Sequence, residues 1–177
     1  MNLIHKVLLA TLLITFISSP VFAETSGEHI DDATIASKTK AVLISHKNVS
    51  ARHIDVEVSK GIVQLSGFVD SESEEITAMN IAKSVKGTKK VLDAIVVSSQ
   101  SRSVGEAVDD TKISATLKTR LAKAEGLGSA TAINTEVKHG RILLAGFVKN
   151  EKIKSTAGVI AKGMPGVTKV YNFIAVK

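Results

Sequence analysis

GFVDSESEEITAMNIAKSVKGTKKVLDAIVV, residues 67–97, and GFVKNEKIKSTAGVIAKGMPGVTKVYNFIAV, residues 146–176, are two copies of one pattern. Ala78, Ile81, Ala82 and Lys83 recur 79 positions later as Ala157, Ile160, Ala161 and Lys162. Gly87, Val91, Ile95 and Val97 recur as Gly166, Val170, Ile174 and Val176. Ala78, Ile81, Ala82 and Val85 have the i, i+3, i+4, i+7 spacing of a helix packed on a sheet, and Met164 takes the place of Val85 in the copy. Ser71 and Glu74 read as a capping box at its start. The run around Val91, Ile95 and Val97 reads as a strand.

Working outward, Val63, Leu65, Gly67 and Val69 alternate as a strand does, and Ile142, Leu144, Gly146 and Val148 repeat them. Before them Ile54, Val56 and Val58 form a second strand, joined through Lys60-Gly61; His139-Gly140 is the equivalent turn. Gly at that position permits positive φ. Further back, Ile30-Asp31-Asp32 recurs as Val108-Asp109-Asp110, now at an offset of 78. Each Asp pair reads as the cap of a first helix. The apolar stripe of that helix is Ile35, Val42 and Leu43 in the first copy and Ile113, Leu117, Leu121 and Ala124 in the second. Arg120 falls on the stripe where the first copy has Val42.

The expected fold is α+β: a tandem repeat of two small αββαβ sandwiches, each a three-stranded mixed sheet with two helices on one face. Unit one spans residues 31–98 and unit two 109–177, with a small polar linker at 99–108. Gly61, Gly67, Gly87 and their partners Gly140, Gly146 and Gly166 are read as structural glycines, the strand glycines marking a close helix-to-strand approach.

Residues 1–23 read as a secretory signal, with Lys6 ahead of the apolar run Val7–Ile17 and Val21-Phe22-Ala23 at the cleavage site. Residues 24–30 are then a short mature tail. The apolar run is short for a ~30 Å hydrocarbon core, and the expected location is the periplasm.

These residues resemble the BON domain. The resemblance rests on the αββαβ repeat, the strands Val63-x-Leu65-x-Gly67-x-Val69 and Ile142-x-Leu144-x-Gly146-x-Val148, and the Gly-x-x-x-Val approach to the last strand. Two such domains behind a leader are similar to periplasmic, osmotically inducible members of that family. The resemblance implies a non-enzymatic envelope protein associated with phospholipid surfaces, stress, or the chaperoning of exported proteins. It carries over no catalytic residue.

The residues themselves offer no catalytic constellation. Cysteine is absent, which excludes disulfides, thiolate zinc sites and a cysteine nucleophile. His5, His29, His46, His53 and His139 lack the paired spacing of a metal site, so no metal or other cofactor is expected. Gly126-Leu127-Gly128 follows a helix instead of preceding one, which defeats phosphate binding. Aromatics are 3% of the chain, too few for base-stacking platforms, so nucleic acid is not an expected partner.

Charge is more informative. The chain carries 23 Lys and Arg against 17 Asp and Glu, net +6. Unit one has nine of each sign, whereas unit two has twelve basic and five acidic residues, net +7. Where unit one opens its second helix with Asp70, Glu72, Glu74 and Glu75, unit two has Lys149, Lys152 and Lys154. With Lys118, Arg120, Lys123 and a protruding Leu127, these are the candidates for an anionic lipid surface. The helix-free sheet face of unit two carries Leu143, Phe147, Tyr171 and Phe173, candidates for docking against unit one, through its first helix, or for holding a client protein. A monomer is expected. Cleavage after Ala23 gives a mature chain beginning at Glu24, which the intact mass of the exported protein checks.

Overall fold

The computed structural model describes residues 31–99, 103–124 and 133–177. The signal and tail, residues 1–30, and Leu127 lie outside them. Unit one consists of α1 (Asp32–Ser45), a 3-10 turn (Ala51–His53), β1 (Asp55–Ser59), β2 (Ile62–Val69), α2 (Glu72–Ser84) and β3 (Lys90–Val97). Unit two consists of α3 (Val104–Lys123), β4 (Asn134–Lys138), β5 (Arg141–Ala145), β6 (Phe147–Val148), α4 (Glu151–Lys162), β7 (Lys169–Asn172) and β8 (Ala175–Val176). The fold is α+β. In each three-stranded sheet the hairpin is antiparallel and the last strand joins its second strand in parallel. In unit two the sheet is interrupted after Ala145 and Asn172, and β6 and β8 pair separately.

The two helices of a unit share one face of its sheet. Ile35 and Leu43 of α1 and Ala78, Ile81 and Ala82 of α2 pack with Ile54, Val63, Leu65 and Val69. Ile113, Leu117 and Leu121 of α3 and Ala157 and Ala161 of α4 pack with Ile142, Leu144 and Val148. Burying each large aliphatic side chain contributes about 1.5–3 kcal/mol.

Several local expectations need correction. Val42 is not on the buried stripe of α1 but 41% exposed. Thr39 is buried in that helix, its hydroxyl donating to the Ile35 carbonyl at 2.8 Å. Arg120 is likewise exposed. Glu74 does not complete the capping box: Ser71 Oγ accepts from the Glu74 N–H, but the Glu74 carboxylate turns to the N–H groups of Ser50 and Asp70. Ser50, just ahead of the 3-10 turn, offers the orphan donor that draws it away. Gly67 answers to that same turn and not to a helix. A Cβ there would lie 1.9 Å from the His53 carbonyl oxygen.

Of the two Asp pairs, only Asp31 does the capping expected. Asp31 caps α1, accepting from the Thr34 N–H at 2.6 Å. Asp32 reaches across to the hairpin and accepts from the N–H groups of Lys60 and Gly61 at 2.7 and 2.8 Å. Asp110 does the same for His139 and Gly140 at 2.9 and 2.8 Å. Both central residues of each turn have positive φ (56° and 78° at Lys60 and Gly61), the geometry that matches strand twist. The carboxylate offsets the strain of a non-glycine residue there. Asp109 caps nothing, because α3 begins at Val104, inside the stretch read as linker. Ser103 and Glu106 form a full capping box there. Glu106 is held at about 2 by the Ser103 N–H, then the Ser103 hydroxyl and His139. Ser98, the last residue of unit one, is buried.

The N–H groups of Gly61 and then Lys60 hold the Asp32 carboxyl below its usual range. A carboxyl whose folded pKa is depressed stabilises fully above its unfolded value, near 3.9, and that contribution is lost as pH falls through the lower folded value. Asp32→Asn therefore lowers Tm by a few degrees at pH 7, and the gap from the parent narrows as pH falls below the unfolded value near 3.9, as thermal melts across pH will show.

Candidate functional surfaces

Alternation along β2 sends Val63, Leu65 and Val69 to the helices and Gln64, Ser66 and Phe68 to the opposite face. The same holds for Leu143 and Ala145 on β5. These two helix-free faces stack on each other. Phe68, Ala94 and Val96 of unit one meet Leu143 and Ala145 of unit two, with Tyr171 and Phe173 packed alongside. Phe68 and Tyr171 meet edge to face with centroids 6.4 Å apart, and Tyr171 stacks on Phe173 at 6.0 Å. Phe147 is buried. The partner of unit two's aromatic face is thus unit one's sheet, not its first helix. Phe68, Ala94 and Val96 make that sheet face apolar, whereas α1 shows solvent a mixed surface that includes Ser37, Lys38 and Ser45.

One amide crosses the centre of the seam. Gln64 is 2% exposed. Its Nε2 donates to the Phe173 carbonyl at 2.8 Å, and its Oε1 accepts from the Gly146 N–H. Both backbone groups sit where unit two's sheet is interrupted, so the kink leaves them free for Gln64. Composition could not single out this residue: a glutamine on a strand reads as a solvent position.

Basic residues close the rim. Lys138 donates to the Ser98 carbonyl at 2.9 Å and lies 3.5 Å from Asp70. Arg141 donates to Ser98 Oγ and places its guanidinium 5.6 Å from the centroid of Phe68. Lys169 sits 4.5 Å from the centroid of Tyr171. Part of unit two's positive charge therefore serves the seam between the units.

The expected lipid-facing residues do not form one cluster. Lys118 lines a cleft of about 570 Å³ between the units, together with Asp55 and Glu57 of β1. Burial, and then Asp55, raises the Glu57 carboxyl above its usual range. Arg120 turns instead to the end of α4, its guanidinium 3.4 Å from the Gly163 carbonyl, where a cation suits the negative helix end. Lys123 is exposed. Lys149 and Lys152 are exposed and Lys154 half-buried at the other end of α4, whose cap is Asn150.

The outward side of α4 adds what the sequence reading missed. Lys152, Ser155, Val159 and Lys162 are all exposed, Val159 at 67%. At ~100° per residue they share an arc of about 80°. The equivalent arc of α2 is Ser73, Ile76, Asn80 and Lys83. Along these helices and their starts, unit one sets Asp70, Glu72, Glu75 and the buried Glu74 against Lys83, and unit two sets Lys149, Lys152, Lys162 and the half-buried Lys154 against Glu151. Among the described residues, no three His, Asp or Glu side chains gather as a metal site, and no helix is long and apolar enough to cross a membrane.

Two αββαβ units of this kind define a class. The BON domain matches residues 31–99 and 109–177, and the chain belongs to the BON family. It is 32% identical over 152 residues to Osmotically-inducible protein Y of Escherichia coli (strain K12), covering 85% of this chain and 75% of that protein. It is equally similar, at 32% over 149 residues, to an uncharacterised protein of the gshII 5′ region in Anaplasma centrale, covering 84% of this chain and 96% of that one. Over 83 residues it is 32% identical to the outer membrane lipoprotein DolP of Haemophilus influenzae, covering 47% of this chain and 43% of that protein. Among solved structures, the C-terminal domain of CdsD from Chlamydia trachomatis aligns with 84% of this chain and 68% of its own at 14% identity and a TM-score of 0.35. That likeness is too slight to bear on function.

Replacing Gln64 with Leu, the residue at the equivalent position 143, strands the buried Gly146 N–H and Phe173 carbonyl. The expected cost is about 3 kcal/mol, read from the urea midpoint of the whole chain.

Proposed function

We propose that this chain is a non-catalytic binding protein of the bacterial periplasm, serving under osmotic or envelope stress. It associates with anionic phospholipid surfaces through the helical side of unit two. The observation that carries this reading is the outward arc of α4, where exposed Val159 stands between Lys152 and Lys162. An apolar residue that can enter the headgroup region, ringed by cations that meet lipid phosphates, is what a peripheral contact needs. Arg120 and Lys162 extend the basic surface at the far end of α4. Lys118, beside Asp55 and Glu57, and the rim residues Lys138 and Arg141 do not belong to it. Relatives named for osmotic induction and for the outer membrane support an envelope role. The aromatic sheet face lies against unit one, so no client-binding role is assigned to Leu143, Phe147, Tyr171 or Phe173.

Attraction of this kind contributes ~1 kcal/mol per basic residue and is screened within a Debye length, about 8 Å at physiological salt. Flotation with phosphatidylglycerol vesicles should recover the protein at low salt. Lys152→Ala and Lys162→Ala should each weaken binding about fivefold, the equivalent of ~1 kcal/mol. Equal recovery with zwitterionic vesicles, or recovery indifferent to both substitutions, removes the reading.

A further inference from the structure

Helix α4 and strand β7 meet at one unusually close point. Gly158 is buried on α4, and a Cβ built there would lie 2.7 Å from Asn172 Nδ2. The Asn172 amide uses that space to donate to the Lys154 carbonyl at 2.9 Å. This is the carbonyl that α-helical geometry assigns to the Gly158 N–H, so the helix backbone itself is grasped from the sheet. At its other end, Asn172 Oδ1 accepts from the Ile174 N–H at 3.4 Å, across the break between β7 and β8. Both attachments are to backbone, so the tie limits rotation of the helix as well as its distance from the sheet.

Unit one lacks both the tie and the break, since β3 runs unbroken and pairs with β2 along its whole length. Its equivalents of Gly158 and Asn172 are Met79 and Asp93. Asp93 holds the Ile95 N–H at 2.9 Å, but a carboxylate has no N–H to offer α2. The group beside it is the Glu75 carboxyl, which burial and then its hydrogen bond with Asp93 raise above the usual range.

Gly158 stands at the border of the buried arc. Ala157, Gly158 and Ala161 are buried, while Val159 and Lys162 are exposed. Lys162 lies only about 40° round the helix from Gly158. A small roll of α4 would therefore change which of these residues solvent meets.

We infer that Asn172 and Gly158 are positioning residues that hold α4 at the rotation presenting Lys152, Val159 and Lys162 outward. The consequence for binding rests on the membrane reading above; the positioning does not. The chain contains no cysteine, so Val159→Cys in the full mature protein provides a single reporter of α4 exposure. Its maleimide labelling rate is compared alone and with Gly158→Ala or Asn172→Asp, and vesicle flotation is measured for the same two substitutions with Val159 intact. The expected result is a labelling rate changed at least threefold by each substitution in folded protein, with binding to phosphatidylglycerol vesicles weakened at least threefold. Unchanged labelling in both variants overturns the positioning role. Altered labelling with undiminished vesicle binding upholds it and discards the membrane reading instead. If Gly158→Ala does not fold, Asn172→Asp decides alone, since an aspartate at the equivalent position, Asp93, accepts from the Ile95 N–H as Asn172 does from Ile174.

Discussion

A three-stranded sheet with both helices on one side leaves its other side bare, and in this chain the two bare sides cover each other. Most of the functional geometry depends on that stacking. It uses the scarce aromatics Phe68, Tyr171 and Phe173 as cohesion between the units. It draws Lys138, Arg141 and Lys169 to the rim, where they bond Ser98, approach Asp70 and lie over aromatic rings. What remains for solvent and partners is the helical side of each unit. The two helical sides differ because their charges differ, not because their folds do.

The duplicated plan is held by small polar devices that recur in each copy. A helix aspartate fastens the hairpin turn, Asp32 in one unit and Asp110 in the other. A residue of the last strand accepts from the N–H two positions on, Asp93 or Asn172. The copies diverge where a device carries charge or needs a donor. Glu74, buried and bonded to Ser50, is replaced in unit two by Ile153, which packs against the core. Glu75 is replaced by Lys154 and Asp93 by Asn172. Each exchange removes a carboxyl, and at the junction of Glu75 and Asp93 unit two substitutes the neutral bond from Asn172 to the Lys154 carbonyl.

The repeat, the strands, the hairpin turns and the helical faces of α2 and α4 were legible in the sequence because period 2 and period 3.6 differ sharply and both copies agree. The first helices were less legible. On α1 the choice between Val42 and Thr39 is one of helical phase, and hydrophobicity favours the wrong residue. Thr39 can be buried only because its hydroxyl finds the Ile35 carbonyl. The start of α3 was hidden because Ser103 and Glu106 sit in a stretch as polar as any linker. The bare sheet face was visible in Leu143, Phe147, Tyr171 and Phe173, but a pattern along strands does not say what covers it. The outward arc of α4 was half seen: its lysines were picked out by contrast with unit one, while Val159 passed unnoticed as one more apolar residue in an apolar helix.

The amide at Gln64 also bears on self-association. Its counterpart in the repeat is Leu143, so the two stacked faces are unlike. Pairing unit one's face with the same face of a second molecule would confront two glutamines and supply neither the Gly146 N–H nor the Phe173 carbonyl that Gln64 is fitted to. Pairing two copies of unit two's face would leave those backbone groups buried without partners, at about 1–3 kcal/mol each. The unlike partner is tethered in the same chain, at an effective concentration of the order of millimolar. Each face of the repeat is therefore fitted to its unlike partner in the same chain and not to a second copy of itself.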